Sequence, residues 1–527
     1  MTTSYPKQDI RFLPLAGDRL ESLLGLEPPP QRSAKSAFKQ LRYVEAYVRD
    51  PEIGCSTVAI EKHYIDRDYM EDHSVFFSRN LLPLPNFCTR IHFFRGNHQE
   101  VEAKLADVVA RGEGKSRDEY VRLCRTFSFD YYLGFCIVKP LPGTPVGRTV
   151  LRHFPKTPKN GNADAFQRMF HATRPYRSHL LGAELTVKGI AFQQQDVGVA
   201  ACATTAIWTA LQKNREHEEL SPTTPAHITA RATHARMPFG RSMPSEGLSV
   251  DQMCQAVEAF GVSPVLSRVS TFDGARDELY SALRSGQAPV LIINQGPGKH
   301  HAVAVVGMKV LPTPTSMDAP ATRASEHLGA LYIHDDRLGP YLLAKLIPSD
   351  SGLSLKIRTR KASPDSRDAT EWIDGYEEWQ VTQILLPTHA KIRLSFHDLQ
   401  LISVDVLAPL AAAWEEIVGE PLARRLLTEV FTSRAFTYIE RMVLGDGDFD
   451  PSIAPSIQRQ IVLARYLGVV RIKLDGVGSL DLLVDTTSTY RNPSYLAWVC
   501  SRTTDDRFKR LAAGFGVQFR CPVIASP

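Results

Sequence analysis

Two short apolar runs separated by a glycine-rich turn restrict the fold of this chain more than any other feature. The first run is Ala288–Ile293, the second is His301–Gly307, and Gly296–Gly298 lies between them. Short apolar runs rich in β-branched residues and bounded by glycine and proline are typical of buried strands. We therefore expect two buried strands, with His301 at the first position of the second, where its side chain can face a cleft. His300 then points to the opposite face.

The stretch upstream of these strands places a cysteine at the start of a helical pattern. Cys202 follows three glutamines, Gln193–Gln195, and a turn of small residues at 198–201. The apolar residues that follow recur at the spacing of one helical face, which predicts a helix that opens at Cys202. These residues are Ala203, Ala206, Ile207, Ala210 and Leu211. The unpaired N–H groups and dipole of a first helical turn favour an anion such as a thiolate. A lone cysteine among alanines is also a common core residue, so a nucleophilic role requires a base elsewhere in the chain.

A candidate base and a candidate orienting group both lie downstream. His301 is the candidate base, since the two partners of Cys–His enzymes come from distant parts of the sequence. The β-rich run Leu331–His334 ends in Asp335 and Asp336 and is followed by a turn. If that run pairs with the histidine strand, Asp335 can accept the Nδ1–H of the imidazole and stabilise the imidazolium. Two aspartates at a hairpin turn are also common without a catalytic role.

These features together resemble the papain-like cysteine peptidase superfamily, and within it the C39-type peptidases. The segment from Cys202 to Ile207 is similar to the C-G-x-A-A-L signature of that group. Gly247–Phe260 is similar to its middle helix and Gly286–Gly307 to its histidine hairpin. Asp335–Gly339 is similar to its D-P-x-x-G turn, with aspartate at position 336 where proline is usual. The resemblance covers roughly residues 190 to 345, and the motifs follow the order of the family.

The resemblance implies a role for each matching residue. Cys202 would be the nucleophile, His301 the general base and acid, and Asp335 the orienting group. A glutamine before the cysteine would donate to the oxyanion, beside the backbone N–H of Cys202. The family usually places this glutamine six residues before the cysteine, where the chain has Asp196. Gln195 is therefore the candidate donor, with Gln194 as the alternate.

A rival alignment stays open. It places Asp196–Gly198 on the D-C-G of the family, which puts Val197 at the nucleophile position and implies an inactive site. Ala203 also stands where the family usually has glycine after the cysteine. The helical pattern after Cys202 favours the first alignment.

Composition limits the classes to which the chain can belong. Its 527 residues suffice for roughly two to four domains, and 43% hydrophobic and 23% charged residues are ordinary for a globular protein. The net charge of +5 comes without a block of lysine or arginine, so a nucleic-acid partner is not indicated. The eight cysteines form no C-x-x-C pair, the N-terminus lacks a signal-peptide pattern, and no apolar run approaches the length of a membrane span. We therefore expect a cytoplasmic protein without a membrane segment, whose oligomeric state the sequence leaves open.

No pattern predicts a metal or a cofactor. Glu61, His63 and His92 lack the spacing of a ligand set, and no phosphate-binding glycine loop is present. The run Asp446–Asp450 resembles the first half of a calcium loop. Pro451 and Ile457 occupy the positions where that loop needs glycine and glutamate. We therefore expect chemistry without a metal or a cofactor.

The expected fold class is α+β, with a central papain-like (C39-type) domain at 181–355. An N-terminal arm at 1–35 and an N-terminal α+β domain at 36–180 precede it, and a linker at 356–375 leads to a C-terminal α/β domain at 376–527. In the N-terminal domain we expect helices at 39–48, 100–111 and 116–124, and strands near 74–77, 90–94 and 131–138. In the C-terminal domain we expect helices at 404–418, 422–444, 457–467 and 505–513, and strands at 480–484 and 495–500.

The function that the resemblance implies is a cysteine peptidase that acts on a protein or peptide substrate. Two alternatives remain. An acyltransferase or transglutaminase-like enzyme would use the same triad with an amine in place of water. A catalytically idle papain-fold scaffold that binds a protein partner would explain the departures at positions 196, 203 and 336.

Overall fold

The chain combines helices and sheets in nearly equal amounts. The computed structural model describes residues 9–28, 38–79, 84–158, 166–195, 202–218, 223–234, 247–296, 299–312, 322–362, 372–419, 426–443, 449–474, 477–501 and 506–525. Helices account for 37% and strands for 36%, which confirms the expected α+β class. The strands of the described residues form three large sheets and one two-stranded hairpin.

The N-terminal sheet has five antiparallel strands in sequence order. Its strands are β1 (Ile10–Pro14), β2 (Thr57–Tyr64), β3 (Cys88–Phe94), β4 (Tyr132–Val138) and β5 (Val146–Leu151). Its helices are α1 (Leu20–Leu23), α2 (Lys39–Arg49), α3 (Arg67–Val75), α4 (His98–Gly112) and α5 (Arg117–Asp130). The predictions at 39–48, 90–94, 100–111, 116–124 and 131–138 fall on α2, β3, α4, α5 and β4.

Two predictions for this region were wrong. The strand expected at 74–77 is the end of α3 and a 3-10 turn, because Asp66 caps the helix by accepting from the N–H of Tyr69. The arm expected at 1–35 contains β1, which pairs along its whole length with β2 and so belongs to the sheet. Residues 1–8 and 29–37 lie outside the described part of the chain.

The central sheet closes into an antiparallel barrel of six strands. They follow the order β10, β11, β13, β14, β15, β16, and β16 pairs with β10 to close the ring. The six strands are β10 (Val290–Asn294), β11 (His300–Val310), β13 (Leu328–Asp335), β14 (Gly339–Ser349), β15 (Gly352–Ala362) and β16 (Trp372–Thr388). Two further strands extend it, since β6 (Gln167–Met169) pairs with β11 and β9 (Ser263–Arg268) pairs with β16.

Four helices belong to this central region. They are α6 (Cys202–Glu218), α7 (Pro225–Ala232), α8 (Val250–Ala259) and α9 (Phe272–Arg284). The middle helix that the sequence predicted is α8, which Ser249 caps through a capping box with Gln252. One continuous apolar core joins α6, α7 and α8 to one face of β10 and β11 and to the N-terminal sheet. The N-terminal and central regions therefore share a core.

The predicted domain boundaries need three corrections. The boundary at 180/181 cuts the tip of a hairpin formed by β7 (Arg174–Leu180) and β8 (Ala183–Gly189). The linker expected at 356–375 is wrong in its described part, because 356–362 and 372–375 belong to β15 and β16. The C-terminal domain cannot begin at 376, since the barrel continues to Thr388.

The C-terminal sheet has six strands in the order β12, β17, β18, β19, β20, β21. They are β12 (Thr322–Arg323), β17 (Leu426–Arg434), β18 (Tyr466–Leu474), β19 (Gly478–Asp485), β20 (Tyr495–Cys500) and β21 (Val523–Ile524). Its helices are α10 (Phe396–Val418), α11 (Ala435–Val443), α12 (Ala454–Gln460) and α13 (Asp506–Phe519). The four long strands pair antiparallel, so the region is α+β and not the α/β domain that was expected.

The helix predictions for the C-terminal region were partly wrong. The segment 422–444 contains the strand β17 before the short helix α11, and 457–467 contains only the end of α12 before β18 begins. Pairing of β17 with β18 over nine residue pairs overrides the local helix preference of this leucine- and alanine-rich sequence. The helices at 404–418 and 505–513 and the strands at 480–484 and 495–500 fall on α10, α13, β19 and β20.

Helix α10 is long and apolar enough to cross a membrane by length and composition alone. From the sequence, no apolar run of that length was expected. Its apolar stripe, with Leu399, Val406 and Leu410 fully buried, packs on the C-terminal sheet. The same sheet carries α11 and α12 on its other face.

Candidate active site

Cys202 is the first residue of α6, as the sequence predicted. The helix is buried around its whole circumference from residue 203 to residue 212, which the one-sided apolar pattern did not predict. Its buried polar groups have partners: Trp208 Nε1 donates to the carbonyl of Thr223, and Thr209 Oγ1 to the carbonyl of Ala191, both at 3.0 Å. The Cys202 side chain itself is only half-buried. A fixed helix thus presents the sulfur at its N-terminal turn.

His301 lies on β11, one residue after the strand begins. Its side chain is 1% exposed, whereas His300 is exposed on the opposite side of the strand, as alternation predicted. The Cys202 side chain is close enough to His301 to be one of the groups that raise the pKa of the imidazole. The structure therefore brings together two residues that are about a hundred positions apart in the sequence.

Asp335 ends β13 and hydrogen-bonds to the side chain of His301. His301 Nε2 lies 2.8 Å from Asp335 Oδ2. The second carboxylate oxygen, Oδ1, accepts from the backbone N–H groups of Arg337 and Leu338 at 2.8 and 2.9 Å. The aspartate therefore both caps its turn and orients the imidazole, the two roles that the sequence presented as alternatives.

The nitrogen that faces Asp335 differs from the prediction. We expected the carboxylate to accept from Nδ1, but it contacts Nε2. Nε2 lies at the tip of the ring, and Asp335 approaches from that end. Nδ1 is therefore the ring nitrogen that is not bonded to Asp335.

The charges around His301 favour the imidazolium. Burial opposes the charged form, but the Asp335 carboxylate, the contact with Cys202 and the Asp336 carboxyl outweigh it and raise the pKa of His301 to about 10. Burial likewise opposes ionisation of Asp335, and the attraction of His301 and Arg337 reverses this effect and lowers the pKa of Asp335. At neutral pH the pair is therefore an imidazolium bound to a carboxylate.

Trp379 packs against His301. Its ring meets the His301 ring edge-on, with 5.6 Å between centroids and 88° between planes. The Arg337 guanidinium lies over the Trp379 ring, 5.7 Å from its centroid. An apolar cover that excludes water strengthens the charge interaction beneath it. Trp379 was not predicted as a site residue, because the predicted boundary at 376 placed it in the C-terminal domain.

Asp336 is a second carboxyl group at the histidine. Its Oδ1 lies 3.7 Å from His301 Nε2, and the residue is 4% exposed. Neither carboxyl oxygen has a hydrogen-bond partner among the described residues. Burial and the neighbouring Asp335 raise the pKa of Asp336 to about 7. The sequence indicated this extra carboxyl group only by the aspartate at position 336, where the C39-type peptidases that the chain resembles usually have proline.

His301, Asp335 and Asp336 are also close enough together to be considered as a metal site. One ligand atom each from His301, Asp335 and Asp336 lies within 4.8 Å of the others. The imidazole is already bonded to Asp335, and its raised pKa keeps it positively charged, which repels a cation. The donor set therefore fits a proton-transfer pair better than a metal. Glu61 and His92, considered in the sequence analysis, lie in the N-terminal sheet, where Arg90 donates to Glu61 at 2.6 Å.

The glutamines before Cys202 have different surroundings. Gln194 is buried, its Oε1 accepts from the N–H of Val146 at 3.1 Å, and its Nε2 contacts the carbonyl of Gly143 at 3.5 Å. Its amide is thus committed to the N-terminal sheet. Gln195 is half-buried, and the Nε2 of the buried Gln193 has no partner among the described residues. Residues 196–201, including Val197 of the rival alignment, lie outside the described part, as does most of the segment 446–450.

Comparison with known proteins adds no assignment. No protein-family model matches the chain, and no curated protein matches it. The chemistry of the site must therefore be inferred from its own geometry.

Proposed function

We propose that the chain is a cysteine peptidase, or a closely related thiol amide hydrolase, built on a papain-like arrangement of helix and barrel. The observation that carries the proposal is His301, which lies 2.8 Å from Asp335 and close enough to Cys202 for that side chain to raise its pKa. A nucleophile, a base and an orienting group in contact are the parts that covalent amide hydrolysis needs. The helix that presents the cysteine and the barrel that presents the histidine support the papain-like interpretation.

In the first half of the reaction, the Cys202 thiolate attacks the carbonyl carbon of the substrate amide. A C–S bond forms, and the carbonyl electrons move to the oxygen. The N–H of Cys202 at the helix N-terminus and the side chain of Gln195 are proposed to donate to this oxyanion. The tetrahedral intermediate then collapses, the C–N bond breaks, and the His301 imidazolium gives its proton to the leaving amine.

In the second half, water replaces the amine. The neutral imidazole of His301 takes a proton from water, and the hydroxide attacks the thioester. The C–S bond breaks, the product leaves as a carboxylic acid, and the Cys202–His301 pair returns to its starting state. Asp335 keeps the ring oriented through both halves, and its carboxylate stabilises the imidazolium each time it forms.

The decisive experiment is the pH profile of Cys202 alkylation. We expect iodoacetamide to label Cys202 rapidly at pH 6, as read by peptide mass spectrometry, because the imidazolium favours the thiolate. His301→Ala should slow labelling at pH 6 at least tenfold. Labelling of Cys202 only above about pH 8.5, the range of an ordinary thiol, would contradict the proposal.

Cys254 provides an internal control in the same digest. It is also half-buried, and burial together with Asp251 and Glu258 raises the pKa of its thiol. Its labelling should be slow at pH 6 and identical in the wild type and the His301→Ala variant. If Cys202 and Cys254 were both labelled rapidly at pH 6, the result would indicate general unfolding and not an activated thiol.

We propose that the substrate is a protein or peptide. The reaction products test this choice of substrate. A peptide mixture incubated with the wild type should gain new N-termini that Cys202→Ala does not produce. Amine-linked products in the presence of an added amine would instead indicate acyl transfer. Fast alkylation without either product, combined with unchanged partner binding by Cys202→Ala, would overturn the hydrolase in favour of a scaffold.

A further inference from the structure

A small cavity lies where the central region meets the C-terminal sheet. Its volume is about 90 Å³. His171, before β7, and Lys213, on α6, line it from the central region. Arg434, at the end of β17, and Arg441, on α11, line it from the C-terminal region. A ligand in this cavity would therefore contact both regions at once.

The lining of the cavity is cationic. His389 also contributes, and none of the described residues that line it is an aspartate or a glutamate. Burial, and then the positive charges of Arg284, Arg441, Lys188 and Lys213, hold the pKa of His171 well below its usual range. Burial accounts for most of this shift, and the four cations that add to it indicate a positive potential inside the cavity.

Two buried polar atoms on the wall lack partners. His171 Nε2 and Gln287 Oε1 are shielded from solvent, and neither has a hydrogen-bond partner among the described residues. A buried polar group without a partner is costly, so both atoms favour an occupant that can bond to them. An oxyanion with a hydroxyl group satisfies both, since its oxygens accept and its hydroxyl donates.

The volume restricts the occupant further. The cavity volume of about 90 Å³ is larger than the roughly 30 Å³ that one water molecule occupies in the liquid. It is well below the volume of typical small-molecule pockets, which is about 300 Å³ or more. It suits a small tetrahedral ion. At neutral pH, hydrogen phosphate combines negative oxygens with a hydroxyl donor.

We propose that this cavity binds a phosphate group, between the cationic side chains of the central region and those of the C-terminal region. The phosphate is either free hydrogen phosphate or the terminal group of a larger molecule that extends to the surface. The site is separate from the reaction at Cys202 and stands independently of it. Because Lys213 shares α6 with Cys202, occupancy would also stabilise the helix that presents the nucleophile.

The test is ligand-dependent stabilisation of the full chain. Inorganic phosphate should raise the melting temperature, relative to chloride at equal ionic strength, because a ligand that binds only the folded state stabilises it. Lys213→Gln and Arg441→Gln should each raise the dissociation constant for phosphate at least tenfold. Phosphoserine and adenosine monophosphate are added in separate experiments. If either binds more tightly than inorganic phosphate, the natural ligand is a larger phosphorylated molecule. If inorganic phosphate binds more tightly, the natural ligand is the free ion.

Arg393→Gln is the matched control. Arg393 is an exposed arginine close to His389 in the chain, and it does not line the cavity. This variant should bind phosphate as the wild type does. The Arg441→Gln variant should be folded, and Cys202 in it should then be labelled at pH 6 as rapidly as in the wild type. If Cys202 is not an activated thiol, far-ultraviolet circular dichroism shows whether this variant is folded. No shift with phosphate, or an equal shift in Arg441→Gln and Arg393→Gln, would overturn the proposal.

Discussion

At the scale of single residues, Asp336 distinguishes this site from a simple triad. It is a buried carboxyl group whose two oxygens lack partners among the described residues, 3.7 Å from the histidine that Asp335 already holds. Burial and Asp335 favour its protonated form, which is why its pKa rises to about 7. The site therefore changes charge near neutral pH without loss of the His301–Asp335 bond.

The stability of the chain should reveal this ionisation. In the folded state Asp336 keeps its proton up to about pH 7, whereas in the unfolded state it loses the proton near pH 4. Between these values the folded state binds one more proton, so stability falls as the pH rises. We expect Asp336→Asn to remove this part of the pH dependence, roughly 2 to 4 kcal/mol between pH 4 and pH 8. Urea unfolding at a series of pH values measures it.

Reactivity provides a second readout for the same variant. Asp336 is one of the groups that raise the pKa of His301, so its replacement by asparagine should lower that pKa while labelling of Cys202 at pH 6 persists. Asp335→Asn, in contrast, should slow the rapid labelling strongly, because it removes the negative charge that contributes most to the raised pKa of His301. Parallel stability curves for the wild type and Asp336→Asn would show that the carboxyl group has no special role.

At the scale of elements, β16 serves both the barrel and the site. Its 17 residues pair with β15 at one end and with β10 and β9 at the other, and this strand alone closes the ring. It also carries Trp379 to its position over His301. Without β16 the edge strands β10 and β15 would expose unpaired backbone groups and the apolar interior.

Fragments of different length test this role of β16. A fragment of residues 1–392 retains the closed barrel and should keep the rapid labelling of Cys202 at pH 6. A fragment of residues 1–362 retains Cys202, His301, Asp335 and all of β15 but lacks β16, and it should be unfolded or unreactive. Circular dichroism and alkylation measure both properties. Equal reactivity of the two fragments would contradict the structural role of the strand.

At the scale of the whole molecule, Glu429 joins the C-terminal sheet to the barrel region. Its Oε1 accepts from Tyr280 Oη and from Arg284 Nε, both on α9 and both at 2.7 Å. The side chains of Arg284 and Glu429 are only 12% and 11% exposed. Burial raises the pKa of Glu429, but Arg284 and Arg471 outweigh this effect and lower it. The carboxylate is therefore charged at neutral pH and held by both regions.

Removal of this carboxylate should weaken the junction. We expect Glu429→Ala to lower the free energy of unfolding by about 3 kcal/mol, because it leaves the buried Arg284 without its anion. Since the pKa of Glu429 is depressed, the effect should be present above about pH 4.3 and fade as the pH falls through the lower value of the folded state. Asp107→Ala, which breaks an exposed pair with Arg111, is the control and should change stability by less than about 1 kcal/mol. Similar losses for both variants would contradict the importance of the junction.

The sequence by itself determined the elements that carry the candidate triad. Apolar spacing after Cys202 predicted α6, the two apolar runs predicted β10 and β11, and the strand that ends at Asp335 was also predicted. These features depend on local periodicity, which a single chain displays directly. The types of the residues also defined the chemistry, since only a few side chains can act as nucleophile, base and orienting group.

Only the tertiary structure decided how those elements meet. The closure of the barrel by β16, the helix-to-strand change at 426–434 and the shared N-terminal core all depend on pairing between distant segments. The position of Trp379, the burial of Asp336 and the ring nitrogen that faces Asp335 follow from that pairing. Local sequence cannot encode them, because burial and the choice of strand partner are properties of the whole fold and not of any one segment.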